Sequence, residues 1–92
     1  MVERLVTITN RLGLHARAAA KLVRLAESFA SSIQLEREDG SATADAKSIL
    51  GVLMLAASRS GSLLRVIADG PDEAAALDAI TAIFAEGFGE NV

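Results

Sequence analysis

The segment Gly-Leu-His-Ala-Arg at residues 13–17 holds the only histidine of the 92-residue sequence, two positions before an arginine. If a helix begins at Ala16, His15 is its N-cap residue, beside unpaired backbone N–H groups and the positive end of the helix dipole. Arg17 adds a cation whose planar guanidinium suits phosphate oxygens. Both features disfavour the imidazolium form, which leaves a neutral ring nitrogen able to act as a nucleophile. The segment therefore predicts a histidine nucleophile beside a phosphate-binding site, and a purely structural histidine is the alternative.

The composition argues against several other kinds of site. The sequence has no cysteine and one histidine, so we expect no thiol nucleophile, no metal site and no cofactor. It has no glycine-rich phosphate loop with a lysine, and its net charge is −3, which argues against nucleotide and nucleic-acid binding. The longest apolar stretch, residues 49–57, is far shorter than the roughly 20 residues that span a bilayer. With no signal-peptide pattern at the N-terminus, we expect a cytoplasmic protein without membrane insertion.

The elements around His15 follow from hydrophobic periodicity. Val6 and Ile8 alternate with threonines, as in a half-buried strand, and Gly13 is the predicted pivot of the turn that follows. After this turn, apolar residues recur at helical spacing, which predicts an amphipathic helix of about three to four turns. The buried face of this helix is predicted to contain Leu22, Leu25, Ala26 and Phe29.

The rest of the chain is predicted to alternate between strands and helices. The further strands are predicted at residues 32–36, 42–44 and 63–68, with turns at Asp39-Gly40 and Ser60-Gly61. A second long helix is predicted to start within residues 70–73 and to stop at Gly87. Its buried stripe is predicted to contain Leu77, Ile80 and Phe84.

Two surface features predict partner docking. Ser48 precedes an apolar run and is the predicted N-cap of a short helix with more apolar side chains than one buried face can use. An exposed docking patch is therefore expected from Ile49, Leu50, Leu53 and Met54. On the first long helix, a basic stripe predicts a rim for an acidic partner, with a solvated face as the alternative. The stripe contains Arg17, Lys21 and Arg24.

The element order β, α, β, β, short α, β, α indicates an α+β fold in a single domain, residues 1–92. When strands alternate apolar and polar residues, one face of their sheet is exposed to solvent and the other packs against the core, here under the helices. A two-layer sandwich with a mainly antiparallel sheet is therefore expected.

Two of these motifs together resemble a known family. Gly-Leu-His-Ala-Arg at residues 13–17, followed by Lys-Ser-Ile-Leu-Gly at residues 47–51, resembles HPr, the histidine-containing phosphocarrier of the bacterial phosphotransferase system. The resemblance covers nearly the whole chain. It implies an open-faced β-sandwich, βαββαβα, in which a four-stranded, mainly antiparallel sheet is covered on one face by three helices.

The resemblance also implies a role for each motif residue. His15 would accept a phosphoryl group from enzyme I, which takes it from phosphoenolpyruvate, and would pass it to a IIA-type domain. Arg17 and the backbone N–H groups of Ala16 and Arg17 would hold the phosphate. Ser48 matches the serine that a dedicated HPr serine kinase/phosphorylase modifies in many bacteria. The docking surface of the family would be formed here by Ile49, Leu50 and Leu53.

The expected molecule is a monomeric phosphocarrier rather than an independent enzyme, because its partners would supply most of the catalytic machinery. Ala18 stands where many sugar-system members have proline, and residues 10–18 are closer to members of the nitrogen-linked branch. Sugar uptake and nitrogen-linked control therefore both stay open. The alternatives are a regulatory binding module of the same fold that transfers no phosphate, and a small ligand-binding or interaction domain in which His15 is structural.

Overall fold

A computed structural model describes residues 1–55 and 61–90 of the chain. The elements follow the predicted order, and a short 3₁₀ turn comes after the last helix. They are β1 (Val2–Thr7), α1 (Ala16–Glu27), β2 (Ser32–Arg37), β3 (Thr43–Asp45), α2 (Ile49–Leu55), β4 (Leu63–Asp69), α3 (Glu73–Ala85) and the 3₁₀ turn Gly87–Gly89. Ser60 of the predicted Ser60-Gly61 turn lies outside the described residues. Within the described ranges, no helix is long and apolar enough to cross a membrane.

The four strands form one antiparallel sheet in the order β1-β4-β2-β3. Alternate residues, such as Val6, Leu35 and Val66, are buried, and the residues between them are half-buried or exposed. This alternation leaves one face of the sheet open while the helices cover the other. The predicted open-faced sandwich is confirmed.

β1 begins at Val2, earlier than the alternation at Val6 and Ile8 predicts, because the strand pairs with β4 from Val2 to Thr7. Ile8 lies beyond the strand but is fully buried. Its N–H still donates to the carbonyl of Ser62 at 2.9 Å. The chain therefore stays attached to the sheet until it enters the turn before His15.

α1 ends at Glu27, so the prediction that Phe29 belongs to its buried face is wrong. Ser28 is the C-cap, and its hydroxyl donates to the carbonyl of Leu25 at 2.6 Å, which competes with a further helical turn. Phe29 nevertheless packs against the core from the loop, and Leu25 packs against it from the helix. The fully buried positions of α1 are Ala18, Ala19, Leu22 and Ala26.

The β2–β3 hairpin confirms the turn predicted at Asp39-Gly40. Gly40 has a φ of +75°, which glycine adopts without steric cost. β3 starts at Thr43, one residue later than predicted, because its pairing with β2 begins there. The carbonyl of Ala42 still accepts the N–H of Arg37 at 3.0 Å.

Asp72 is the N-cap residue of α3, yet its carboxylate binds the loop that follows α1. It accepts the backbone N–H groups of Ala30 and Ser31 at 3.0 and 2.9 Å, as well as the Ser31 hydroxyl. The Ser31 hydroxyl, followed by these two backbone groups, lowers the pKa of Asp72 to about 2. At the other end, α3 stops at Ala85 and Gly87 has a φ of +61°, as predicted for a glycine stop.

Candidate functional site

His15 is the N-cap residue of α1, as predicted. Its backbone is extended, and its Nδ1 accepts the N–H of Arg17 at a distance of 3.3 Å. The side chain is 27% exposed, so one part of the ring reaches solvent. Nδ1 thus faces the Arg17 N–H in the first turn of α1, a helix that begins at Ala16.

The turn before the helix fixes where His15 lies. Gly13 has a φ of +66°, and its N–H donates to the carbonyl of Asn10 at 3.1 Å. The Asn10 side-chain amide returns a hydrogen bond to the carbonyl of Gly13 at 2.6 Å. Asn10 is buried, so a side chain that the sequence analysis did not single out forms the base of the site.

Glu90 is the second residue that the sequence analysis missed. Its Oε2 contacts Nε2 of His15, and its Oε1 accepts the Asn10 amide at 2.8 Å. The Asn10 hydrogen bond, followed by the His15 contact and the nearby Lys21 ammonium, lowers the pKa of Glu90 although partial desolvation opposes this. The carboxylate is therefore ionised at neutral pH, so His15 has an anionic neighbour in addition to the cationic Arg17 that the sequence predicts.

The turn at Gly87–Gly89 carries Glu90 back to the start of α1. Phe88 has a φ of +59°, a left-handed conformation that costs a non-glycine residue roughly 1–2 kcal/mol. Its ring is 2% exposed and packs edge-to-face on Phe84 with 5.0 Å between centroids. Burial of a phenylalanine side chain contributes about 1.5–3 kcal/mol, which offsets that strain.

The basic stripe of α1 divides between two roles. Nζ of Lys21 donates to the carbonyl of Phe88 at 2.7 Å, so this ammonium anchors the turn instead of projecting freely from a rim. Arg17 and Arg24 are exposed, and no carboxylate among the described residues lies within ion-pair distance of either guanidinium. Arg17 is thus available to an anion at the N-terminus of α1.

The apolar cluster of α2 is exposed, as expected. Ser48 precedes the helix, and its Oγ accepts the N–H of Gly51 at 3.1 Å, which is the predicted capping bond. The cluster consists of Ile49, Leu50, Leu53 and Met54, with exposures of 43, 66, 39 and 75%. Leu12, in the turn before His15, is also 69% exposed and was not predicted. The cluster lies on α2, which packs against α1, the helix whose N-cap residue is His15.

Across residues 1–55 and 61–90, no three histidine, cysteine or acidic side chains group as metal ligands would. The groups found at the start of α1 are the imidazole of His15, the carboxylate of Glu90, the exposed side chain of Arg17 and the backbone N–H groups of the first helical turn. This set can hold an anion next to a nitrogen nucleophile, which is the arrangement that phosphoryl transfer to histidine requires.

Comparison with known proteins gives a consistent result. The chain matches the family described as "PTS HPr component phosphorylation site" over residues 2–86. It is 51% identical over 91 residues to phosphocarrier protein HPr of Cupriavidus necator, with 99% of each chain covered. It is 41% identical over 90 residues to phosphocarrier protein NPr of Escherichia coli strain K12, with 98% of each covered. Among solved structures, HPr-C-His from Thermoanaerobacter tengcongensis is similar over 100% of both chains, with a TM-score of 0.91 and 36% identity.

Proposed function

The chain belongs to the HPr family of phosphotransferase-system phosphocarriers, and we propose that it carries the phosphoryl group on Nδ1 of His15. The unlike surroundings of the two ring nitrogens support this choice. Nδ1 accepts the N–H of Arg17 at the start of α1, whereas Nε2 contacts the carboxylate of Glu90. An anionic phosphoryl group is stabilised on the helix side and repelled on the carboxylate side.

Transfer starts from the neutral ring with its proton on Nε2, the tautomer in which Nδ1 accepts the N–H of Arg17. At 3.3 Å this hydrogen bond is long, so the Nδ1 lone pair is weakly held and can attack phosphorus. The new N–P bond forms as the donor's N–P bond breaks, and that electron pair returns to the donor nitrogen. The Arg17 N–H then binds a phosphoryl oxygen, and the Ala16 N–H and the Arg17 guanidinium add further positive charge.

The donor in this proposal is the phosphorylated histidine of enzyme I, charged from phosphoenolpyruvate, and the acceptor is a IIA-type domain. The site is open enough for each partner to approach His15 from solvent. Because an in-line transfer needs the second nitrogen on the far side of phosphorus, the partners complete the reacting geometry. The protein therefore acts as a carrier and is not an independent enzyme.

The exposed apolar cluster is the proposed docking surface for both partners, with Arg24 as a charged neighbour on α1. Large exposed apolar side chains grouped on one short helix are typical of an interaction site. The ammonium of Lys21 already donates to the carbonyl of Phe88, so in this proposal Lys21 contributes to docking mainly through the rest of its side chain.

Ser48 is the proposed regulatory site, modified by an HPr serine kinase/phosphorylase where the source organism has one. Its hydroxyl is half-buried at the start of α2, beside the apolar cluster. A phosphate there would add a charge of about −1.5 to −2 within the docking surface and repel an acidic partner.

The relatives include both HPr and NPr proteins, so the acceptor belongs to either the sugar-uptake or the nitrogen-linked branch. A cytoplasmic monomer fits the proposed role, because a carrier presents one face to successive partners.

The test is incubation with phosphoenolpyruvate and enzyme I of the same organism, followed by intact mass measurement at neutral and acidic pH. We expect one added phosphate that is lost in acid, because an N–P bond to imidazole is acid-labile. The His15→Ala variant, shown to be folded by circular dichroism, should gain none. A wild-type protein that gains no phosphate would contradict the proposal and favour a regulatory binding module that transfers none.

A further inference from the structure

Glu90 places a negative charge beside the ring that receives an anionic group, and the carrier role of His15 does not by itself account for it. We propose that Glu90 is a positioning residue that holds the Nε2 proton of His15 and stabilises the positive charge that the ring gains when Nδ1 bonds to phosphorus. This inference rests on the proposed function and specifies how His15 is prepared for it.

The Glu90 carboxylate is fixed at both oxygens. Oε2 contacts Nε2 of His15, and Oε1 accepts the amide of the buried Asn10 at 2.8 Å. Asn10 also donates to the carbonyl of Gly13, so both of its amide hydrogens bind acceptors and the orientation of the amide is determined. The side chains of His15 and Glu90 are only 27% and 18% exposed, so water screens their interaction incompletely.

The backbone that presents Glu90 is built for this position. Phe88 adopts a left-handed conformation, is buried against Phe84 and has its carbonyl held by Lys21 at 2.7 Å. The left-handed conformation, the ring packing and this hydrogen bond together turn the chain, so that the carboxylate of Glu90 reaches the N-cap of α1. A charge placed by such a turn is a structural feature of the site and not a chance surface contact.

The chemistry of transfer creates a positive charge on the ring, which the carboxylate of Glu90 can stabilise. When a neutral imidazole attacks phosphorus through Nδ1, no proton leaves the ring, so the product ring is cationic and still carries its proton on Nε2. The carboxylate accepts that proton in a hydrogen bond and lies opposite the new charge, as the carboxylate of a catalytic triad does for its histidine. The other charged groups nearby are Arg17 and Lys21, both basic residues, so Glu90 is the group of opposite sign beside the ring.

The first experiment uses phosphoramidate as a small-molecule phosphoryl donor, so that no partner protein is needed. In wild type we expect the adduct on Nδ1, identified from ¹⁵N chemical shifts of the ring. In Glu90→Gln, which keeps an acceptor but removes the charge, the adduct should stay on Nδ1 and lose its Nε2 proton about one pH unit lower than in wild type. In Glu90→Ala, which removes both, adducts on Nε2 should also appear.

A wild-type adduct on Nε2, or an Nε2 proton lost at the same pH in wild type and Glu90→Gln, would overturn the inference. Glu86→Gln is the matched control, because Glu86 is an exposed carboxylate of the same segment that does not contact His15. It should behave as wild type in each measurement.

The second experiment measures single-turnover transfer from phosphorylated enzyme I at pH 8, above the ordinary titration range of imidazole. A shift of one pH unit in the proton loss of the phosphorylated ring corresponds to at most about a tenfold change in the transfer equilibrium, so Glu90→Gln should hold less phosphate at equilibrium with enzyme I, by up to about tenfold. Wild-type transfer with an unchanged Glu90→Gln equilibrium overturns only the role of Glu90. Failure of wild-type transfer overturns the proposed function, while the phosphoramidate result still decides the role of Glu90.

Discussion

The Ser48→Asp variant tests whether the start of α2 is part of the surface on which enzyme I docks. Ser48 Oγ accepts the N–H of Gly51 at 3.1 Å, and aspartate caps helices about as well as serine. We therefore expect the free energy of unfolding to change by no more than about 0.5 kcal/mol. The perturbation is then a single negative charge next to the exposed apolar cluster of α2.

The size of the effect follows from Coulomb's law. An acidic group of the partner about 6 Å from the new carboxylate is repelled by about 0.7 kcal/mol in bulk water and by about 2.8 kcal/mol at an effective dielectric constant near 20. These energies correspond to a roughly three- to hundredfold higher KM for the carrier in phosphorylation by enzyme I. The effect should shrink as salt is raised, because the charges lie near the surface.

The assay is steady-state phosphorylation by enzyme I with phosphoenolpyruvate, at two salt concentrations. Ser41→Asp, on the exposed β2–β3 turn, changes the net charge by the same amount outside the apolar cluster and serves as the control. An unchanged KM for Ser48→Asp, or an equal rise for Ser41→Asp, would refute the assignment of the docking surface to α2.

Three further predictions concern charge, docking and acid stability. Arg17→Ala should lower phosphate uptake about tenfold in the enzyme I assay while Arg17→Lys recovers part of it, because Arg17 carries an exposed positive side chain on the residue whose backbone N–H binds Nδ1. Leu50→Ser should raise the KM about five- to thirtyfold with little loss of stability, whereas Leu5→Ser on β1 should not, although both side chains are exposed. Hydrogen bonds from Ser31 and its neighbours hold the pKa of Asp72 at about 2, below its ordinary value of 3.8, so the stability it contributes is present above about pH 4 and is lost as the pH falls through 2. Urea unfolding between pH 2 and 5 should therefore show a weaker pH dependence for Asp72→Asn than for wild type.

Local signals in the sequence were sufficient to predict the N-cap positions of His15 and Ser48. A glycine turn before one helix and a serine before an apolar run fix these positions within a few residues of chain. The exposure of the α2 cluster followed from a simple count, since a short helix cannot bury every apolar side chain it carries. Such features depend on neighbours in sequence and so can be read without the fold.

The carboxylate side of the site could not be predicted in this way. Glu90 and His15 are 75 positions apart, and their contact depends on the left-handed backbone of Phe88 and on Asn10 below them. Periodicity reports which face of an element is buried but carries no information on which distant segments meet. The pair of glycines around Phe88 was a sign of a sharp turn, yet it gave neither the direction of that turn nor its destination. The same limit applies to Lys21, whose ammonium binds that turn.

The return of Glu90 to the N-cap of α1 also determines when the site can exist during synthesis of the chain. His15 is made early, but β1 must wait for its neighbour β4, and Glu90 follows every strand and helix of the fold. Contacts between such distant segments form late, because the intervening chain must first be closed into a loop. A nascent chain therefore exposes its histidine without the groups that orient the ring. Glu90 can therefore orient the ring of His15 only after the chain has been synthesised past α3 and the turn at Gly87–Gly89.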